Sequence, residues 1–265
     1  MRKRVRREAK VAVIHSAKAT AGLATVAMPL PKKISLLMKQ SIGAPCQPVV
    51  KKGDKVEVGT LVGKAPGVVG ADIHSGVSGT VAGIEQIVAA DGNPTQVVVI
   101  NTDGLQTIDP EVIPPVVRDR ASFLEAVRSC GLVGLGGAAF PTAVKLNPPK
   151  PERIDTLIIN AAECEPFITS DDREMLECAD TILSGIAAVQ KYLDIPKAVI
   201  AVERNQPDAM DLMFSLVKGD PKLSVMPLNM VYPQGAEKVL IETVTGRAVP
   251  AGGLPPDVGA IMLNV

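Results

Sequence analysis

Residues Asp155 to Glu203 read DTLIINAAECEPFITSDDREMLECADTILSGIAAVQKYLDIPKAVIAVE. Asp155–Asn160 is a short apolar run closed by a polar residue, which predicts a buried strand. TSDDRE, starting at Thr169, supplies a capping residue and then acids, which favour the positive end of a helix dipole. From there to Ile195 apolar residues recur at helical spacing, so one long amphipathic helix is expected. KAVIAVE then returns to a continuous apolar run, a second strand. A strand, a helix and a further strand joined by so long a connection form a parallel crossover unit. The alternation continues through PDAMDLMFSLV, a helix with proline at its start, LSVMPL, a strand, and GAEKVLIETVTG, a helix ending at Gly246. A Rossmann-like α/β domain with a mostly parallel sheet is therefore predicted over residues 120–265.

Upstream of that domain the period changes. ASFLEAVRSC, Ala121–Cys130, has helical spacing with Gly131 as its cap, and residues 104–119 form a proline- and acid-rich linker. Over residues 31–103 short β-type runs (ISLLMK, KVEVG, TLVGKA, GADIHS, GTVAGIEQIV, QVVVINT) are punctuated by glycine turns. Such a segment folds as a small all-β barrel-sandwich. VVKKGDKVEVGTLVGKA followed by HSGVSGTVAGIE looks like the biotinyl/lipoyl-type hammerhead. The tip where those carriers place a modified lysine holds Gly67 or Val68 here, with Lys64 before the turn, so a packing and docking role is expected rather than covalent carriage. His74 has no second ligand beside it and reads as structural.

Composition narrows the function. The 265 residues are 46% apolar and carry 28 basic against 28 acidic side chains, the balance of an ordinary globular protein. No basic field and only six aromatic residues (two Tyr, four Phe, no Trp) argue against a nucleic-acid platform. The cysteines, Cys46, Cys130, Cys164 and Cys178, lack C-x-x-C spacing, and with two histidines no metal cluster is readable. Residues 1–30 begin MRKRVRREAK and pass into a mildly apolar run. His15, Ser16 and Lys18 interrupt that run, so a disordered basic tail attracted to an anionic membrane surface is expected rather than a leader peptide.

In open α/β sheets ligands collect where strands end and helices begin. Three loops lie there. GLVGLGGAAFPTAVK, Gly131–Lys145, crowds glycines at Gly134, Gly136 and Gly137, leaving backbone N–H groups open to a phosphate or a flat ring. Asn160–Pro166 ends an apolar strand with Glu163 and Glu165, which either bind sugar-type hydroxyls or cap the following helix. Tyr232–Lys238 opens the last helix.

These pieces occur in the order of a known family. Through SIGAPCQPVVKKGDKVEVG, GLGGAAFPT, INAAECEP, YPQGAEK and TGRAVPAGGLPPDVG, the chain resembles the RnfC subunit of the Rnf ion-translocating electron-transport complex, and the electron-transfer protein associated with proline reductase equally. More distantly it is similar to the flavin- and NADH-binding subunit of respiratory complex I. The resemblance implies FMN held by Gly134, Gly136, Gly137, Lys145, Asn160, Glu163 and Asn264, with NAD(H) near Phe140, Glu165, Tyr232 and Glu237. It implies hydride transfer to or from the flavin and onward electron transfer, with no catalytic acid or base and no metal ligand in this chain. Partners implied are other subunits of the complex and a ferredoxin-type carrier, and the location is the cytoplasmic face of the membrane, peripherally bound. The cysteine-rich runs that hold [4Fe–4S] clusters in the family do not occur in these residues, so the chain reads as the N-terminal part of such a subunit. The competing expectation is a non-catalytic docking module for the same kind of complex. Ala162 stands where complex I has a carboxylate.

Overall fold

The computed structural model describes residues 17–135 and 137–265, in two compact units. One is Ala27–Pro148; the other is Pro149–Val265 together with the segment that ends at Val26.

In the first unit the strands are β1 (Lys33–Leu37), β2 (Gln47–Pro48), β3 (Lys55–Val56), β4 (Leu61–Lys64), β5 (Ile73–His74), β6 (Gly79–Val88) and β7 (Pro94–Thr102). They form two antiparallel sheets, in the orders β1-β7-β6-β3 and β2-β4-β5. β7 is central in its sheet, and its run Val97 to Ile100 is fully buried; β-branched side chains suit that position. Met38, Val62, Ile73, Val81, Val98 and Ile100 pack into one core between the sheets. At Gly79 a Cβ would press into the Asn101 carbonyl oxygen, so the β6–β7 pairing requires glycine there. The expected hammerhead strands are present. Lys64 at the tip is ion-paired with Asp72 at 2.6 Å, and His74 lies between the carbonyls of Gly59 and Ser129, 2.8 Å from each.

Two helices complete this unit, α1 (Arg120–Ser129) and α2 (Thr142–Lys145). Asp119 and Ser122 form a reciprocal capping box at the start of α1. At its end Gly131 turns left-handed (φ 73°), Gly131 N–H donates to Arg128 O and Leu132 N–H to Val127 O, a Schellman closure.

The second unit is a parallel sheet of β8 (Thr156–Ala161), β9 (Lys197–Glu203), β10 (Leu223–Leu228) and β11 (Ala260–Asn264), in the order β10-β9-β8-β11. Its helices are α3 (Ser170–Glu177), α4 (Ala179–Leu193), α5 (Pro207–Val217) and α6 (Glu237–Thr245). β8 and β9 are buried along nearly their whole length, as expected of strands covered on both faces. The single helix expected after Thr169 is two. Cys178, at φ −129° and ψ 25°, ends α3 and begins α4. The pieces bury separate sets of residues, Asp172 and Met175 against Ile186, Val189 and Leu193, and Asp180 starts the second dipole. Leu240 and Ile241 of α6 pack with Ile158, Ala201, Leu228 and Met262 in the core.

Candidate functional site

The chain runs from β8 to β9 to β10 in one direction across the sheet and then returns to lay β11 on the other side of β8. The order therefore reverses between β8 and β11, and the carboxyl ends flanking that reversal are where such sheets hold ligands. Asn160 and Asn264 are partners in the β8–β11 register at this point. Asn160 Nδ2 donates to Gly235 O at 3.2 Å and to Asn264 Oδ1 at 3.5 Å, while its Oδ1 accepts from Ala162 N–H at 3.1 Å. The loop after β10 thus lies against the end of β8. Gly235 makes that approach possible, since a Cβ there would come within 2.6 Å of Ala162 O.

Glu163 is 1% exposed and fully engaged. Its Oε1 accepts from Asp171 N–H (2.8 Å) and Ser170 Oγ (3.3 Å), so it caps α3 in place of Thr169, whose hydroxyl bonds to Thr20 at 2.6 Å. Its Oε2 accepts from Gln206 Nε2 at 3.1 Å and lies 3.4 Å from Lys18 Nζ. Glu165, two residues on, is exposed, as are Phe167 and Ile168.

Glu163, Cys164, Glu203, Asn205, Met230, Val231 and Tyr232 line a small cleft at these strand ends. Glu203, the last residue of β9, is 2% exposed, and its Oε1 has no hydrogen-bond partner. Asn205 Oδ1 and Gln206 Oε1 are buried without partners as well. Burial pushes the Glu203 carboxyl up to about 7; Lys18 and the bond from Asn205 oppose the rise, while Glu165 and Glu163 add to it. Burial, then Glu163 and Glu165, push Asp171 up to about 6. Burial also raises the Cys164 thiol, which makes it a poor nucleophile.

Of the residues expected at a cofactor site, Asn160, Glu163, Glu165, Tyr232, Glu237 and Asn264 lie in the α/β unit, and the strand ends gather Asn160, Glu163, Asn264 and Tyr232. Glu237 begins α6, half-buried. Gly134, Gly137, Phe140 and Lys145 lie in the other unit, and Gly136 lies outside the described residues. There the loop is closed at its base by Gly134 N–H to Phe140 O (2.9 Å) and Thr142 N–H to Leu132 O (3.0 Å). At its turn Gly137 and Ala139 take positive φ, 135° and 47°. Sequence reading missed Glu203, Asn205, Gln206, Asp171 and Lys18. The available signal for the first three was a carboxylate closing a buried strand just before a proline-led helix.

Residues 127–265 match the Nuo51 FMN-binding domain family, and residues 10–105 match the RnfC barrel sandwich hybrid domain. The chain belongs to the Nuo51 FMN-binding domain family. This family member is also homologous to the RnfC subunits of ion-translocating complexes. It is 42% identical over 238 residues to the RnfC homologue of the Na(+)-translocating ferredoxin:NAD(+) oxidoreductase complex of Acetobacterium woodii, covering 89% of this chain and 54% of that protein. It is 40% identical over 257 residues to the corresponding subunit of the proton-translocating ferredoxin:NAD(+) oxidoreductase complex of Clostridium ljungdahlii, covering 94% and 55%. The chain thus spans about half the length of these relatives. Among solved structures, an NAD+-reducing [NiFe]-hydrogenase in the H2-reduced state aligns over 56% of this chain and 29% of its own, at 24% identity and a TM-score of 0.44. Among the described residues no helix is long and apolar enough to cross a membrane, and no group of three His, Cys, Asp or Glu residues could hold a metal ion.

Proposed function

We propose that this chain holds FMN and exchanges electrons between it and a nicotinamide nucleotide, as a subunit of an Rnf-type ion-translocating complex. The observation that carries this reading is the acceptor left unpaired on Glu203 in the cleft beside the sheet's reversal point, in a domain of an FMN-binding family. A buried acceptor without a donor costs about 1–3 kcal/mol, and a ligand bringing hydroxyl or amide N–H groups recovers it. The ribityl chain and ring imide of FMN, and the carboxamide of a nicotinamide, are donors of that kind. The lining residues fit this part of the cofactor and not its phosphate, since none of the seven is a cation.

The phosphate is assigned to Gly134, Gly136, Gly137 and Lys145, because backbone N–H groups and an ammonium suit a dianion. That assignment is supported by the family match, which runs over both loops. Asn160, Glu163 and Asn264 are assigned to the flavin, and Phe140, Glu165, Tyr232 and Glu237 to the nicotinamide side. When bound, the flavin supplies hydride exchange and single-electron release. The protein's part is to orient the two rings, exclude water and keep the surrounding charge fixed.

The relatives are subunits of ion-translocating complexes, which supports other subunits as partners and peripheral association with the membrane. A ferredoxin-type carrier is proposed as the exchange partner, and [4Fe–4S] clusters are assigned to portions of such subunits that these residues do not span. The test is titration of the purified full chain with FMN. Stoichiometric binding and bleaching of the flavin absorbance by NADH are expected; a chain that binds no FMN overturns the reading.

A further inference from the structure

The loop after β8 and the start of α3 bring Glu163, Glu165 and Asp171 together, and Glu203 arrives from β9. Carboxylates so placed repel one another unless a cation stands among them. From Ile154 through Asp172 the sequence has no lysine or arginine. The cation comes from 145 residues upstream: Lys18 Nζ donates to the carbonyl oxygens of Glu163 (2.8 Å), Glu165 (3.1 Å) and Ile168 (2.5 Å), and lies 3.4 Å from Glu163 Oε2. An ammonium has three protons, and three converging carbonyls take them all. The lysine side chain is 12% exposed, so this is a largely desolvated charge rather than a surface contact.

The segment that carries Lys18 is itself latched. Thr20 bonds to Thr169, Arg173 donates to Ala21 O at 3.3 Å, and Thr25 donates through its N–H (3.0 Å) and hydroxyl (2.5 Å) to the Glu177 carboxylate. Within the loop, by contrast, the backbone bond from Ile168 N–H to Glu165 O is long, at 3.4 Å. The loop's carbonyls are organised around the ammonium more than around one another.

We propose that Lys18 is a positioning residue of the flavin site: as an internal counter-ion it holds the 163–168 loop in the shape that places Glu163 and Glu165 for the ligand. This rests on the FMN reading above. It makes residues 17–26 a working part of the α/β unit, and it ties ligand affinity to a residue that precedes the β unit in the chain.

The test uses the full chain with Lys18→Met, which keeps length and removes charge, and Lys18→Arg, which keeps charge in a planar fork. FMN affinity is read by fluorescence quenching well below the melting temperature, and hydrogen exchange is followed over residues 163–171, with α5 as the internal control. Lys18→Met is expected to accelerate exchange over 163–171 and weaken FMN binding, each by roughly tenfold or more, as losing one partner of a buried charge cluster does. α5 should exchange as before, and Lys18→Arg should recover most of both losses. Loop exchange at the parental rate overturns the proposal, and so does FMN affinity within about twofold of the parent. If the parent chain binds no FMN, the flavin reading falls by itself and loop exchange alone decides whether Lys18 is the loop's counter-ion.

Discussion

Gln206 Nε2 donates to Glu163 Oε2 at 3.1 Å, and with 3% and 1% exposure the two side chains tie the loop after β9 to the loop after β8 inside the protein. Glu163 spends its other oxygen on the cap of α3, so losing Gln206 leaves Oε2 with Lys18 alone. Gln206→Leu is expected to lower stability by about 1–3 kcal/mol, read as an earlier denaturant midpoint. Gln206→Glu should be worse above neutral pH than below pH 5, because it sets a second carboxylate against the first. A midpoint unchanged in both variants would mean that the bond contributes nothing.

Glycine substitutions separate close approach from flexibility. At Gly235 a Cβ would meet Ala162 O at 2.6 Å, whereas at Gly185, exposed in the middle of α4, nothing lies within 4 Å. Gly235→Ala is expected to destabilise by about 1–3 kcal/mol, since the loop after β10 must back away from β8. Gly185→Ala should stabilise by about 0.5–1 kcal/mol through helix propensity. Thermal melts of the two variants should therefore move in opposite directions, and a shared direction would discredit the packing at Gly235.

The raised carboxyls set a pH dependence whose sign follows from linkage. Glu203 rises from 4.5 to about 7 and Asp171 from 3.8 to about 6 in the folded chain, which therefore binds these protons more tightly than the unfolded chain does. Their contribution to stability is fully present below about pH 4 and is lost as pH rises through 6 and 7. Glu177 behaves oppositely. Bonds from Thr25 and Arg173 lower it to about 2, so its contribution is present above about 4.5 and lost as pH falls through 2. The ligand-free chain should thus lose stability between pH 5 and 8, and Glu203→Gln should flatten that slope. An unflattened slope would place the proton elsewhere.

The parallel sheet was legible because β8 and β9 are nearly uninterrupted apolar runs, and Gly246 marks the end of α6 as left-handed closure requires. Asn160 and the loop it opens could be read because a polar residue ends an apolar run. Glu203 was not distinguished, since one carboxylate after a strand resembles any strand exit until burial removes its solvent. Lys18 could not be read at all. Its role depends on three carbonyls that are 145 or more residues away in sequence, and local charge pattern describes it only as one lysine after a basic stretch. The split at Cys178 was equally hidden, because helical spacing persists through it.

The glycine loop offers a way to tell ligand contact from backbone need. Gly137 has φ 135°, where a side chain is strained whatever space surrounds it, so Gly137→Val is expected to cost about 1–3 kcal/mol even without a ligand. Weakened FMN binding by that variant would be ambiguous. Gly134 is the cleaner probe, because its added Cβ would stand 3.7 Å from Phe140 O, an ordinary contact, and its φ is not positive. Gly134→Ala should leave the melting midpoint of the ligand-free chain within about 0.5 kcal/mol of the parent. A phosphate or flavin ring resting on the backbone at this point would meet the new methyl directly, so FMN affinity should fall by roughly tenfold, about 1.4 kcal/mol. Affinity lost without stability lost marks the surface on which the ligand lies. Parental affinity in a parentally stable Gly134→Ala chain removes Gly134 from the flavin site and leaves the loop as a turn closed by its own Gly134 to Phe140 bond.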